Sequence, residues 1–386
     1  MSYPSVDKLQ KTLAKDVFHY AKDAKKASGR ALGTLVEVIT FYVIQDWGFE
    51  NNIRIERGLI EYLNPSISHN VEYTIHPVRK SLRLELEYKL PITTKKIFAE
   101  LKSNKSAIKY GWSKYNTIST TLLSARGVLR NACVLARNKR SNLIVVLKGV
   151  SENKATIEVI EQLEKPFAMF ECKRVGIEEG NKKGPQTIEK AKQGAYVART
   201  VSSLQKVRNS NGELFGALPL GNGNFRLEPF GKLLKEVIES SDKKLYGDFI
   251  LTVGVVSNHG NWFTSNNPNK ELIVLKDAYD WLLFLTDRGI ATFIDELLLN
   301  PSKEYKPVRD AFLVSYLNVK GKAMQYGKNQ FTKVQMNREA DQLLQKYFHQ
   351  NRKKIRNWIN IISPAGLTLE MLKTQITKLS NKDWNI

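Results

Sequence analysis

The chain has 386 residues, with 60 Lys+Arg against 38 Asp+Glu and a formal net charge of +22. A 42% apolar and 25% charged composition is that of a folded protein and excludes wholesale disorder and collagen-like repeats. The length allows two domains, or one large domain with insertions, each burying a core without staples. Two isolated cysteines, Cys133 and Cys172, exclude a disulfide framework and a cysteine-rich zinc site.

The first residues lack an apolar signal region, and no run approaches the ~18 apolar residues of a membrane span, so a membrane location is not expected. The expected compartment is a reducing cytoplasm. The excess of positive charge points to a polyanionic partner, whose counterions are released when Lys and Arg replace them. No Asp occurs between Asp46 and Asp242, and the stretch 102–140 mixes Lys and Arg with Ser, Thr, Asn and Tyr, a composition suited to phosphates and base edges.

In chain order, residues 6–27 read as a basic amphipathic helix. Ser28-Gly29 breaks it, and an apolar helix with Glu37 in its middle runs from Arg30 to Trp47, closed by Gly48. Residues 49–59 alternate as a strand. VEYTIHPV and SLRLELEYKL in 70–102 give two more alternating runs, and KKIFAELK follows Pro91. Residues 117–137 read as helical and 141–150 as a strand. KATIEVIEQL (154–163) and KPFAMFECKRV (165–175) read as two arms of a hairpin turning near 164–165. A helix is expected from Thr187 to about Val207, a long loop at 209–224, and a helix at 230–241. The nearly continuous apolar run 246–257 predicts a strand buried on both faces. Residues 258–270 read as a polar loop and 271–299 as a short strand followed by helices. The remainder is helical and basic.

The most informative stretch is FECKRVGIEEGNKKGPQTIEKAKQGAYVAR (170–199). Positions i and i+2 of a strand share a face, so Glu171 and Lys173 reach one site together. A carboxylate binds a hard cation, and an ammonium stabilises developing negative charge. The same E-x-K spacing at 87–89 and 100–102 reads as surface salt bridging. If the hairpin turns at 164–165, Glu158 sits opposite Glu171, with Glu161 and Glu152 as competitors. Scattered histidines offer no zinc or histidine-based centre, and there is no Walker A sequence for a nucleotide cofactor.

On these residues the chain resembles the PD-(D/E)xK nuclease superfamily, and within it the type II restriction endonucleases, over roughly residues 28–257. GRALGTLVEVITFYVIQDWGF is similar to the family's first core helix, TIEVIEQLEKPFAMFECK to its catalytic hairpin, TIEKAKQGAYVAR to the next helix and DFILTVGVVS to the following strand. The resemblance implies an α/β fold with a restriction-endonuclease-like core, a central mixed β-sheet flanked by helices, and a mostly helical C-terminal region. It divides the chain into an N-terminal helix (1–27), a nuclease core (28–260) with a DNA-recognition insertion at about 60–140, and a C-terminal region (261–386). It further implies Mg²⁺-dependent cleavage of double-stranded DNA by a homodimer in a bacterial or archaeal cytoplasm. Glu158, Glu171 and the backbone carbonyl of Cys172 would hold the metal, with Lys173 and Glu37 catalytic and Glu161 the alternative acid. Lys182, Lys183, Gln193 and Tyr196 would touch DNA. The usual upstream Asp is missing, so a Glu must replace it. Two rival expectations remain: a repair or recombination nuclease of the same fold, and a non-catalytic DNA-binding protein.

Overall fold

The computed structural model describes residues 6–18, 24–58, 70–175, 195–196, 198–199, 202–258, 270–316 and 330–384. The fold is mixed α/β, with one sheet of parallel and antiparallel strands, further antiparallel sheets, and many helices. The chain forms two compact units, each built from three segments: 1–55, 78–164 and 286–358 in the first, and 56–77, 165–285 and 359–386 in the second. These discontinuous units differ from the consecutive ranges 1–27, 28–260 and 261–386.

The second unit is organised by a six-stranded sheet. Its order is Ile53–Gly58, Asn70–Ile75, Ala168–Val175, Leu251–Asn258, Trp281–Leu285 and Ile359–Ser363. The three strands Ala168–Val175, Leu251–Asn258 and Trp281–Leu285 are parallel to one another, while Asn70–Ile75 runs antiparallel to the first of them and Ile359–Ser363 antiparallel to the last. Parallel strands are covered on both faces and therefore read as unbroken apolar runs, as AMF, LTVGVV and WLLFL do. Leu251, Val253, Val255, Val256, Trp281 and Leu282 are all buried. Lys270–Ala278 connects two of the parallel strands and sets Leu272 and Leu275 against Met169, Val256 and Leu282. The segment 271–299 is therefore helix, strand, helix, and not strand then helices.

Glycines shape this unit at two places. Gly254 faces the ring of Tyr279, where an added Cβ would lie 2.6 Å from Tyr279 Cδ2. Residues 209–224, expected as a long loop, belong to a three-stranded antiparallel meander: Gln205–Arg208, Leu214–Gly221 and Asn224–Pro229. Gly221, Asn222 and Gly223 all have positive φ, the conformation that a tight hairpin turn demands. The meander is packed by Phe230–Glu239, whose Phe230, Leu233, Leu234, Val237 and Ile238 form one buried helical stripe.

The first unit holds a five-stranded antiparallel sheet, in the order Val78–Glu87, Lys154–Leu163, Ser141–Val150, Cys133–Arg137 and Asn116–Thr117. A smaller sheet has the order Gln335–Asn337, Val128–Arg130, Thr121–Leu123 and Ile92–Thr93. The expected helix at 117–137 is thus a set of short strands, turned at Ser124–Gly127 with Gly127 at φ 73°. The N-terminal helices also break elsewhere than expected. They run Val6–Asp16 and Ala24–Ile44, with Ser28 and Gly29 inside the second, where Ser28 Oγ donates back to Lys25 O at 2.9 Å. The helical stretch Ala27–Asn52 reaches the length and apolarity of a membrane-crossing helix, contrary to the count of apolar runs, but 67% of its most apolar window is buried inside the protein, as in a core helix.

Gly254→Ala is expected to destabilise the fold by about 1–3 kcal/mol, because the Tyr279 ring must move out of a packed layer. Urea unfolding followed by tryptophan fluorescence measures it, and an unchanged midpoint would show that the ring is not held there.

Candidate functional site

Glu171 and Lys173 lie on the buried parallel strand Ala168–Val175, and the two-residue period puts their side chains on one face, Nζ to Oε1 at 3.2 Å. The antiparallel neighbour supplies the second acid. Its register pairs Ala168 with Ile75, Met169 with Thr74 and Phe170 with Tyr73, so the next position along brings Glu72 beside Glu171. Glu72 Oε1 is 3.9 Å from Lys173 Nζ, and its Oε2 accepts from the backbone N–H of Cys172 at 3.2 Å. Glu171 is 1% exposed and Glu72 8%, while about a third of the Lys173 side chain meets solvent.

This group carries two carboxylates and one ammonium. Burial pulls the Lys173 ammonium toward neutrality, but the charges of Glu171 and Glu72 outweigh it and hold its pKa above the ordinary lysine value. Lys173 is therefore a fixed cation at neutral pH. Burial, with Glu171 and Glu72 adding to it, pushes the Tyr279 phenol well above its usual range, so this ring beside the site stays neutral.

A buried polar network fixes the segment that carries Tyr279. Asp280 accepts from the backbone N–H and the hydroxyl of Thr252, each at 2.9 Å. Arg199 and Lys206 approach the same carboxylate at 3.4 and 3.6 Å, and Lys206 donates to Tyr279 O at 2.5 Å. Lys206 also lies over the Phe230 ring, 4.6 Å from its centroid. Burial depresses its pKa to about 8, against the pull of Asp280.

The donor set of Glu72 and Glu171 consists of hard oxygens, and one ammonium leaves it one negative charge in excess. That suits a divalent cation such as Mg²⁺, with the Cys172 carbonyl as the further oxygen. Among the described residues, no group of three or more His, Cys, Asp or Glu side chains is gathered as a ready ligand shell.

The acid expected opposite Glu171 is a correction. Lys154–Leu163 does not form a hairpin with Ala168–Val175. Both its edges are taken, by Val78–Glu87 and Ser141–Val150, so Glu158 sits in another sheet of the first unit. There Glu158 Oε2 accepts from Asn51 at 3.1 Å and pairs with Lys148 at 3.2 Å, and Lys148 also binds Glu50 at 2.7 Å. Despite its burial, these partners lower the Glu158 pKa. Glu161, the alternative acid, is a buried structural anchor of the first unit. It accepts from Tyr115 at 2.9 Å, Arg79 at 3.0 Å, and Trp112 and Ser141 at 3.2 Å. Glu152 is exposed in the turn that joins two strands. Glu37, on Ala24–Ile44 of the first unit, pairs with Lys333 at 3.2 Å. Tyr196 is helical and 64% exposed. Lys182, Lys183 and Gln193 lie outside the described residues.

Glu72 was the acid missed. The run VEYTIHPV announces its strand, but nothing local says which strand pairs with it. No family model, curated protein or solved structure matches the chain.

Because the unfolded chain binds a proton at Lys206 up to about pH 10.5 while the folded chain releases it near 8, the buried charge costs stability below about pH 8. That cost is relieved as the pH rises from about 8 to 10.5. Lys206→Met is expected to remove this gain, and denaturation midpoints of parent and variant across that window should converge as the pH rises. Separately, Glu161→Ala should destabilise by about 1–3 kcal/mol, since it takes the shared acceptor from the buried Trp112 N–H and Ser141 hydroxyl; calorimetry reads it directly.

Proposed function

We propose that this protein is a Mg²⁺-dependent endonuclease that hydrolyses phosphodiester bonds of double-stranded DNA at a specific sequence, in the manner of a type II restriction endonuclease. The observation that carries the reading is the meeting of Glu72, Glu171 and Lys173 on two paired strands of a buried sheet. Two acids and a lysine so placed fit the PD-(D/E)xK pattern, with Glu72 in the place of the missing aspartate. The net charge of +22 supports a polyanionic substrate.

In this reading Glu72, Glu171 and the Cys172 carbonyl hold Mg²⁺, which when bound supplies Lewis-acid stabilisation of charge on the phosphate oxygens. The Cys172 N–H donates to Glu72 Oε2 at 3.2 Å and so restrains that carboxylate. Lys173 Nζ lies beside both acids, 3.2 Å from Glu171 and 3.9 Å from Glu72. It donates to the attacking water or to a non-bridging oxygen and stabilises the charge that builds as the water oxygen bonds to phosphorus and the P–O3′ bond breaks. The proton released by the water passes to solvent, which reaches the site along the exposed third of Lys173. A homodimer matches a palindromic target.

Lys173→Ala is expected to lower Mg²⁺-dependent cleavage of phage DNA by at least about 100-fold. Glu72→Gln should do the same, whereas Glu158→Gln should cut like the parent. Cleavage that survives at Glu72→Gln and fails at Glu158→Gln would move the metal site to the other unit. Discrete fragments favour a restriction enzyme, and structure-specific nicks or smears favour a repair nuclease. A parent that binds DNA and never cuts is the non-catalytic protein.

A further inference from the structure

The small sheet of the first unit floors a cleft of about 640 Å³ lined by Ser119, Thr120, Thr121, Ser124, Arg126, Arg130, Gln330 and Gln335 among others, with no acid in its wall. Its polar groups are hydroxyls, amides and guanidiniums, beside the apolar Ala125 and Val128. The antiparallel register sets Gln335 directly opposite Arg130, so both side chains leave the same face. Arg126 stands at the exposed tip of the adjoining turn, between Ser124 and Gly127. Among the described residues neither Arg126 nor Arg130 takes part in an ion pair, in a protein where most buried cations have one. The surrounding chain extends the same charge: between Glu100 and Glu152 there is no acidic residue, while ten Lys and Arg occur.

We infer that this cleft is the DNA-reading surface, in which Arg126 contacts the phosphate backbone while Arg130 and Gln335 contact base edges in the major groove. The inference rests on the nuclease reading and assigns its recognition element. A guanidinium matches O6 and N7 of guanine, and a carboxamide matches N6 and N7 of adenine, so neighbouring Arg and Gln on one rigid ladder form a two-base reader. The flanking hydroxyls and Arg126 suit phosphate oxygens, which set register without carrying sequence. Strand-borne side chains are held more firmly than loop-borne ones, as discrimination between bases requires.

The test measures binding apart from chemistry. Fluorescence anisotropy with a labelled duplex cut from phage DNA, in EDTA, is recorded for the parent, Arg126→Ala, Arg130→Ala, Gln335→Ala and Glu158→Gln over a range of salt. Arg126→Ala sits on an exposed turn and should fold normally; Arg130→Lys accompanies Arg130→Ala as the variant that keeps the charge. Arg126→Ala should weaken binding and lower the salt slope by about 1. Arg130→Ala and Gln335→Ala should weaken binding to the preferred duplex by roughly 5- to 100-fold and flatten its preference over a scrambled duplex. Glu158→Gln, outside both the acidic site and the cleft, should bind like the parent. Parental affinity and preference in an Arg126→Ala/Arg130→Ala double variant would overturn the cleft assignment while leaving cleavage intact. Binding that depends on the cleft in a protein that never cuts would retain the cleft and remove the nuclease.

Discussion

Two carboxylates share one ammonium on a pair of buried strands, and the rest of the second unit is arranged to make that tolerable. Glu171 at 1% exposure and Glu72 at 8% are charges taken out of water, a costly step unless an opposite charge and fixed donors answer it. Lys173 answers one charge and the Cys172 N–H gives Glu72 a donor. What remains is an excess of negative charge held by a stiff backbone, the condition under which a carboxylate pair favours a small hard cation over a second proton. The stiffness comes from apolar strands covered on both faces, the Tyr279 ring seated on Gly254, and the Asp280 network tying that ring's segment to Thr252.

Part of this was legible in the sequence. The E-x-K lies in a run whose apolar continuity marks a buried strand, and the period of two then forces Glu171 and Lys173 together whatever the sheet order. The second acid depends on pairing, and pairing is a tertiary fact. Consecutive strands are neighbours roughly two-thirds of the time, and the expected hairpin of 154–163 with 165–175 followed that tendency. Here Lys154–Leu163 is an interior strand, saturated on both edges. The strand that does pair with Ala168–Val175 precedes it by an entire insertion, 78–164, which belongs to the other unit. The same register arithmetic that chose Glu158 chooses Glu72 once the partner strand is known.

Short elements were the other loss. Residues 117–137 contain enough apolar residues at helical spacing to resemble a helix, yet Ser124-Ala125-Arg126-Gly127 turns the chain, with Ser124 Oγ accepting from the N–H of Arg126 and of Val128. At 209–224 the asparagine-glycine pairs looked like loop punctuation and were hairpin turns; Asn209 Oδ1 accepts from Asn211 and Glu213, and Gly212 takes φ 79°. In both segments the polar residues that hide a strand from periodicity are the ones that build its turn.

Lys206 and Lys173 of the second unit differ in whether burial or the nearby carboxylates prevail. Lys206 is nearly enclosed, and burial outweighs the pull of Asp280, which Arg199 also approaches, so its pKa falls to about 8. Lys173 is less enclosed and faces two carboxylates whose charges outweigh burial, so its pKa rises. The distinction sets their chemistry. A lysine near 8 can exchange its proton in the neutral range, whereas one held above the usual value keeps its charge. In the proposed nuclease that charge would face the developing oxyanion, with the second acid on the neighbouring strand holding it without another cation in the site.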